Sequence, residues 1–275
     1  MNGWFYYNHA MVPDCSPEET PDLKPILDGS IWKLPEKPLL ARWTTDFDCG
    51  YETNWWYCIR ERSFKLDEVK AKRRYEINKG NKFFVVKRII PADYAEQLYE
   101  VQIAAFSAYP KKYRPIVVKD DFINEVKKWE LVYAAFEKES GDLSGYAKIS
   151  FKGKELGFNV LKTKPEKEKF AVNAAIIYYI LNDFSNWLDA PGNYICDGAR
   201  NILHESAFQN YLEKYFGFRK AYCKLHLKYN PKYKVLVKIA YCFRRILSLF
   251  DNVGIIHKVN AVLKMEKIVR SEKKK

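Results

Sequence analysis

The chain has 275 residues, 48% of them hydrophobic, with 47 Lys and Arg against 34 Asp and Glu and a formal net charge of +13. That length and apolar content suit one large or two modest globular domains and exclude a disordered chain. No window approaches the ~20 apolar residues of a membrane-spanning helix. The first residues, MNGWFYYNHAMVPDC, show no basic segment followed by an apolar core, so no secretory signal is expected and the predicted location is cytoplasmic. Cys15, Cys49, Cys58, Cys196, Cys223 and Cys242 include no C-x-x-C pair, which predicts free thiols and no metal site. The positive charge has two readings, lysine-rich solubility or an anionic partner: coenzyme phosphates, a nucleic acid or a membrane surface.

Residues 1–29 have no sustained period and read as a surface coil anchored by Trp4, Phe5 and Tyr6. Short strands follow at Ser30–Leu34, Leu39–Thr45 and Thr53–Arg60, punctuated by Pro35, Pro38 and Gly50. Residues 63–80 read as a helix with Ser63 as N-cap and Gly80 as its stop. Its Lys70, Lys72, Arg73, Arg74 and Lys79 form either a solvated face or a surface for phosphates or lipid headgroups. Phe83–Ile90 is a strand, Pro91 opens a helix to about Tyr109, and Asp121–Trp129 is a second short helix. Leu131–Phe136, Tyr146–Phe151 and Leu156–Lys162 form an antiparallel meander. Pro165 opens a long helix with Glu166 and Glu168 in its first turn and Phe170, Ala174, Ile177, Tyr178, Leu181 and Phe184 on its apolar face.

The most informative stretch is Tyr194–Tyr222. Tyr194-Ile195-Cys196 reads as a buried strand end, Asp197-Gly198 breaks it, and a helical pattern runs to Phe216. Gly217 suits the left-handed end of that helix, and a last strand starts at Phe218. Beyond Asn230-Pro231, Tyr233–Phe250 is a basic amphipathic helix, with Val235, Leu236, Ile239, Phe243, Ile246 and Leu247 against Lys234, Lys238, Arg244 and Arg245. It either packs on the domain or lies on an anionic membrane at its inner face. A second helix, Ile255–Val269, pairs with it as a hairpin.

Ala207 and Tyr211-Leu212-Glu213-Lys214-Tyr215-Phe216-Gly217-Phe218 resemble the closing motif of the GNAT superfamily of acyl-coenzyme A acyltransferases, with one extra residue before Gly217. The element order agrees over residues 82–228. The resemblance implies an α/β fold: a GNAT-like mixed, mostly antiparallel sheet flanked by helices. To this are added an N-terminal β-rich extension (1–81) and a C-terminal helical hairpin (229–275). It implies an N-acetyltransferase or other acyltransferase using acetyl-CoA or another acyl-CoA, with an amino or hydroxyl acceptor on a small molecule or a cell-surface sugar. The coenzyme would lie between the Leu156–Lys162 and Tyr194–Cys196 strands, against Lys162, Thr163, Lys164, Lys167 and Lys169. No glycine falls between Gly157 and Gly192, where the family carries a glycine-containing phosphate turn.

Lys70–Gly80 and Asp197-Gly198-Ala199-Arg200 also resemble the Fem-type (FemABX-like) transferases. These move an amino acid from aminoacyl-tRNA onto a cell-wall precursor and have GNAT folds without that loop. A catalytically idle module binding RNA or an anionic membrane is the reading from another class. For acyl transfer the chemistry needs a base, an acid and donors around the carbonyl oxygen. Asp197 and His204 are candidate catalytic residues at the strand end and the start of the next helix, where a cleft opens in such folds, and His204 is the candidate base. Tyr215 or Tyr211 is the candidate acid. The alternative for each is structural: a cap, a surface residue and core tyrosines.

Overall fold

The computed structural model describes residues 3–109, 111, 114–202 and 207–272. Two compact units share them: one of Met1–Cys58, Ala199–Phe208 and Arg219–Lys275, the other of Ile59–Gly198 and Gln209–Phe218.

The first unit opens with a hairpin. Strands β1 (Trp4–Tyr7) and β2 (Ala10–Pro13) pair antiparallel across Asn8 and His9, whose φ angles are 47° and 65°. Two left-handed residues give the turn whose twist matches paired strands. The expected coil is corrected accordingly. Only Trp4 of the three proposed aromatic anchors is buried, its indole N–H donating to the Asp22 carbonyl at 2.8 Å. After a short helix, α1 (Lys24–Leu27), Ser30–Lys33 is a 3-10 turn entered through left-handed Gly29, not the expected strand. Strands β3 (Leu40–Thr45) and β4 (Trp55–Arg60) follow where expected.

In the second unit, α2 (Ala71–Phe83) starts after a 3-10 turn at Leu66–Glu68 and runs through Gly80 instead of stopping there. Strand β5 (Phe84–Ile89) leads into a 3-10 turn at Pro91–Tyr94, then α3 (Ala95–Ser107) and α4 (Lys119–Val126). Strands β6 (Leu131–Glu137), β7 (Leu143–Lys152) and β8 (Glu155–Thr163) form the antiparallel meander. Leu98 and Val101 of α3 and Val126 of α4 pack with Val132, Ala134 and Tyr146 on one face of this sheet.

Pro165–Phe170 is a 3-10 turn rather than the start of the long helix. Ala171 is left-handed at φ 63°, and α5 (Val172–Asp183) begins only beyond it. A Cβ on Gly80 would lie 2.5 Å from the Ala171 carbonyl oxygen and 3.0 Å from the Ala175 nitrogen, so glycine lets α2 press onto the start of α5. Helix α6 (Ser185–Leu188), strand β9 (Tyr194–Ala199) and helix α7 (Ala207–Phe216) follow. The strand order is β5-β6-β7-β8-β9, antiparallel except for β8 and β9.

Strand β10 (Arg219–Tyr229) returns to the first unit and pairs antiparallel with β3. Helices α8 (Pro231–Cys242), α9 (Arg244–Leu247) and α10 (Gly254–Glu272) follow, so the single predicted helix over Tyr233–Phe250 is broken at Phe243. Met265 of α10 is buried with Ala10, Leu40, Trp55 and Leu225. The segments 1–81, 82–228 and 229–275 therefore differ from the compact units, because β10 and the C-terminal helices close on the N-terminal strands.

Candidate active site

Strands β8 and β9 pair in parallel only through Glu155↔Tyr194, Leu156↔Ile195 and Gly157↔Cys196. Immediately beyond, the register of β8 against β7 shifts: Ile149 faces Phe158, Lys148 faces Val160, and Asn159 is the extra residue. A bulge bends its strand and raises its twist. Asn159 is held there by the Ser150 hydroxyl, which donates to its carboxamide oxygen at 2.7 Å. The two strands thus part, and the first residue of β9 past the last pair is Asp197.

Asp197 is half-buried. Burial pushes its carboxyl up to about 7, opposed in part by a hydrogen bond with the side chain of Gln209. The cause is desolvation of the charged form. Gln209 is itself buried, on the same stripe of α7 as Leu212 and Phe216, and its amide also donates to the Gly198 carbonyl at 3.4 Å. Gly198, at φ 87°, turns the chain just after the carboxyl. Helix α7 ends at left-handed Gly217, where Arg60 Nη1 donates to the Phe216 carbonyl at 2.8 Å and Nη2 to the Ser63 carbonyl at 2.6 Å. The Phe216 carbonyl is one that a helix end leaves unpaired.

Tyr215 is on another face of α7. Six residues separate it from Gln209, about 240° of rotation at 100° per residue. Its ring lies 4.7 Å from that of Tyr211, with the Lys214 ammonium 5.3 Å from its centre. Burial, then the charge of Glu76, raises the phenol of Tyr211. His204 lies outside the described residues. Gln209 is the site residue that sequence reasoning missed. Its signal is a polar side chain at i, i+3, i+7 spacing with Leu212 and Phe216, where the pattern asks for an apolar one.

The five residues assigned to the coenzyme do not converge. Lys162 and Thr163 are adjacent in a strand and so point to opposite faces. Lys162 reaches toward the α3 side, 3.4 Å from the Tyr109 hydroxyl and 4.8 Å from the centre of Phe106. Thr163 is buried toward α5, its hydroxyl donating to Asn173 at 3.4 Å. The Lys164 N–H bonds the Ser144 carbonyl at 2.9 Å. The Lys167 ammonium is 2.6 Å from Glu137, whose carboxyl that bond holds below the usual carboxylate range. Lys169 lies over Phe170, 5.0 Å from its centre. Among the described residues, no group of three His, Cys, Asp or Glu is placed to hold a metal ion.

No family model matches the chain, and no curated protein matches it by sequence. Solved structures do. A conserved protein of unknown function from Bacteroides thetaiotaomicron superposes at TM-score 0.52 and 13% identity, over 82% of this chain and 80% of its own. FemX superposes at TM-score 0.51 and 10% identity, over 78% of each chain. A GCN5-related N-acetyltransferase from Sphaerobacter thermophilus reaches TM-score 0.46 at 10% identity, over 82% of this chain and 75% of its own. At such identities the likeness is one of fold. The fold is GNAT-like, with FemABX features: a mixed, mostly antiparallel sheet flanked by helices.

Proposed function

We propose that the chain is an acyl- or aminoacyl-group transferase in which Asp197 is the base. The carrying observation is the place of this carboxyl. It follows the last β8–β9 pair, is half-buried, and is poised at about 7. A base is most effective when its pKa lies near the working pH. The acceptor is an amine or a hydroxyl. It gives its proton to the Asp197 carboxylate, its lone pair bonds the acyl carbon, and the donor's C–S or C–O bond breaks with the electron pair leaving on sulfur or oxygen. Gln209 is the positioning residue that orients the carboxyl.

Two donors fit this chemistry: acetyl- or other acyl-CoA, and an aminoacyl ester of tRNA. The turn after β8 favours the second. Lys167 is engaged by Glu137, and α2 presses through Gly80 onto Ala171 at the start of α5. An anion site at that helix start needs free backbone N–H groups. An aminoacyl donor is instead attracted along its phosphates by basic side chains such as Lys72, Arg73 and Arg74 of α2. Acceptors of cell-surface type, a sugar or a cell-wall precursor, belong to the same proposal.

The test supplies acetyl-CoA and a mixed aminoacyl-tRNA pool separately, with amine and hydroxyl acceptors, and follows release of free thiol or deacylated tRNA. Transfer is expected to rise with pH through about 7, the value set by Asp197. Asp197→Asn is expected to lower it by roughly 10²–10⁴-fold. Full activity in the variant would remove Asp197 from the role. Transfer from neither donor would remove the transferase.

A further inference from the structure

We infer that α8, α9 and the turn leading into α10 form a docking surface for an anionic lipid bilayer. Leu236, Ile239, Phe243, Ile246, Leu249 and Ile255 are each more than half exposed. No residue of α8 is buried, whereas α10 buries Leu263 and Met265. At 100° per residue, Leu236 and Ile239 lie within about 60° of each other on α8, and Lys234 and Lys238 lie within about 40° of each other on its other side.

The opposite side of these helices is fastened by polar and aromatic contacts. The Tyr241 ring lies between Arg244 at 4.4 Å and Arg270 of α10 at 4.0 Å. Asn260 of α10 donates to the Leu247 carbonyl at 3.1 Å. The stripe that would ordinarily make a helix's apolar contact therefore faces outward. Exposed apolar surface of this extent marks an interaction site.

Charge identifies the occupant. Residues 231–258 carry six Lys and Arg (Lys232, Lys234, Lys238, Arg244, Arg245, Lys258) and one acidic residue, Asp251. That carboxylate is engaged within the hairpin by Asn260 at 2.8 Å and His257 at 3.1 Å. A second copy would bring like charge against like charge. Single-stranded nucleic acid would call for aromatic platforms, and the exposed stripe is mainly aliphatic. An exposed apolar stripe on so basic a segment matches a helix lying in the interface of an anionic leaflet, with aliphatic groups among the acyl chains and the long lysine side chains reaching toward the lipid phosphates. Among the described residues, no helix is long and apolar enough to cross the bilayer. The surface is separate in sequence from Asp197 and stands without the transferase reading.

The test is cosedimentation of the full chain with phosphatidylcholine vesicles, with or without about a third phosphatidylglycerol, at low and high salt. Two triple variants accompany it: Leu236→Gln with Ile239→Gln and Phe243→Gln, and Lys234→Glu with Lys238→Glu and Arg245→Glu. Binding is expected only with phosphatidylglycerol present, weaker in salt, and lower by about tenfold or more in each variant. Exposed positions should leave both melting curves unchanged. Four results would overturn the inference. These are no binding to the anionic vesicles, equal binding to phosphatidylcholine alone, undiminished binding of the apolar variant, or a dimer of the parent chain that the apolar variant makes monomeric.

Discussion

Asp197 shows what one side chain gains from where the β8–β9 ladder ends. The same carboxyl one pair earlier would sit inside the β8–β9 ladder. Its environment has a consequence for stability that can be separated from activity. The folded value of about 7 lies above the ordinary 3.8. Between them the folded chain keeps a proton that the unfolded chain has released. Its contribution is therefore fully present below the ordinary value and is lost as pH rises through about 7. Asp197→Asn is expected to unfold at the same urea concentration as the parent near pH 4, and to become relatively more stable by pH 8. The gap is on the order of 4 kcal/mol at most. Parallel pH slopes for the two proteins in urea titrations would show that the carboxyl is not desolvated. Asp197 was singled out in the sequence by its place after the apolar run Tyr194-Ile195-Cys196, although the strand continues through it to Ala199. Its partner Gln209 was not, since the hydrogen bond depends on the packing of α7 against that strand end.

At the scale of elements, the crossing of α2 and α5 replaces an open helix start with a packed one. A reading of the chain one segment at a time takes Gly80 as a stop and Pro165 as a start, because glycine and proline usually punctuate helices. Both assignments fail for one reason: the glycine is spent on interhelical closeness, and the start of α5 waits until the chain has turned at left-handed Ala171. Gly80→Ala would raise helix propensity by ~1 kcal/mol, but its methyl would meet backbone at 2.5 Å. The second effect should win, with a net loss of about 2 kcal/mol or more, seen as a lower melting temperature. A more stable variant would mean that α2 and α5 are not in such contact. The Asn159 bulge is likewise invisible to periodicity, since alternation of side chains does not reveal which strand carries the extra residue.

For the whole molecule, the C-terminal helices are part of a core as well as a surface. Leu263 and Met265 are buried, and Met265 packs with Trp55, Leu225 and Ala10. A chain ending at Tyr229 would expose that cluster, and it is expected to aggregate or to melt early. If it remained monomeric with the parent's melting temperature, the hairpin would be an appendage. The sequence by itself determined the class and order of the main elements. The meander and the Gly217 stop are local patterns of apolar spacing and turn residues, and local patterns are written in the residues that make them; the expected break at Asp197-Gly198 is not seen, since β9 runs through it to Ala199. Only the tertiary structure decided the rest: that β10 returns to β3, that Lys162 and Thr163 face apart, that Lys167 answers Glu137, and that α8 turns its apolar stripe outward. Each depends on which distant segment occupies the neighbouring space, and that is set by packing the whole chain at once.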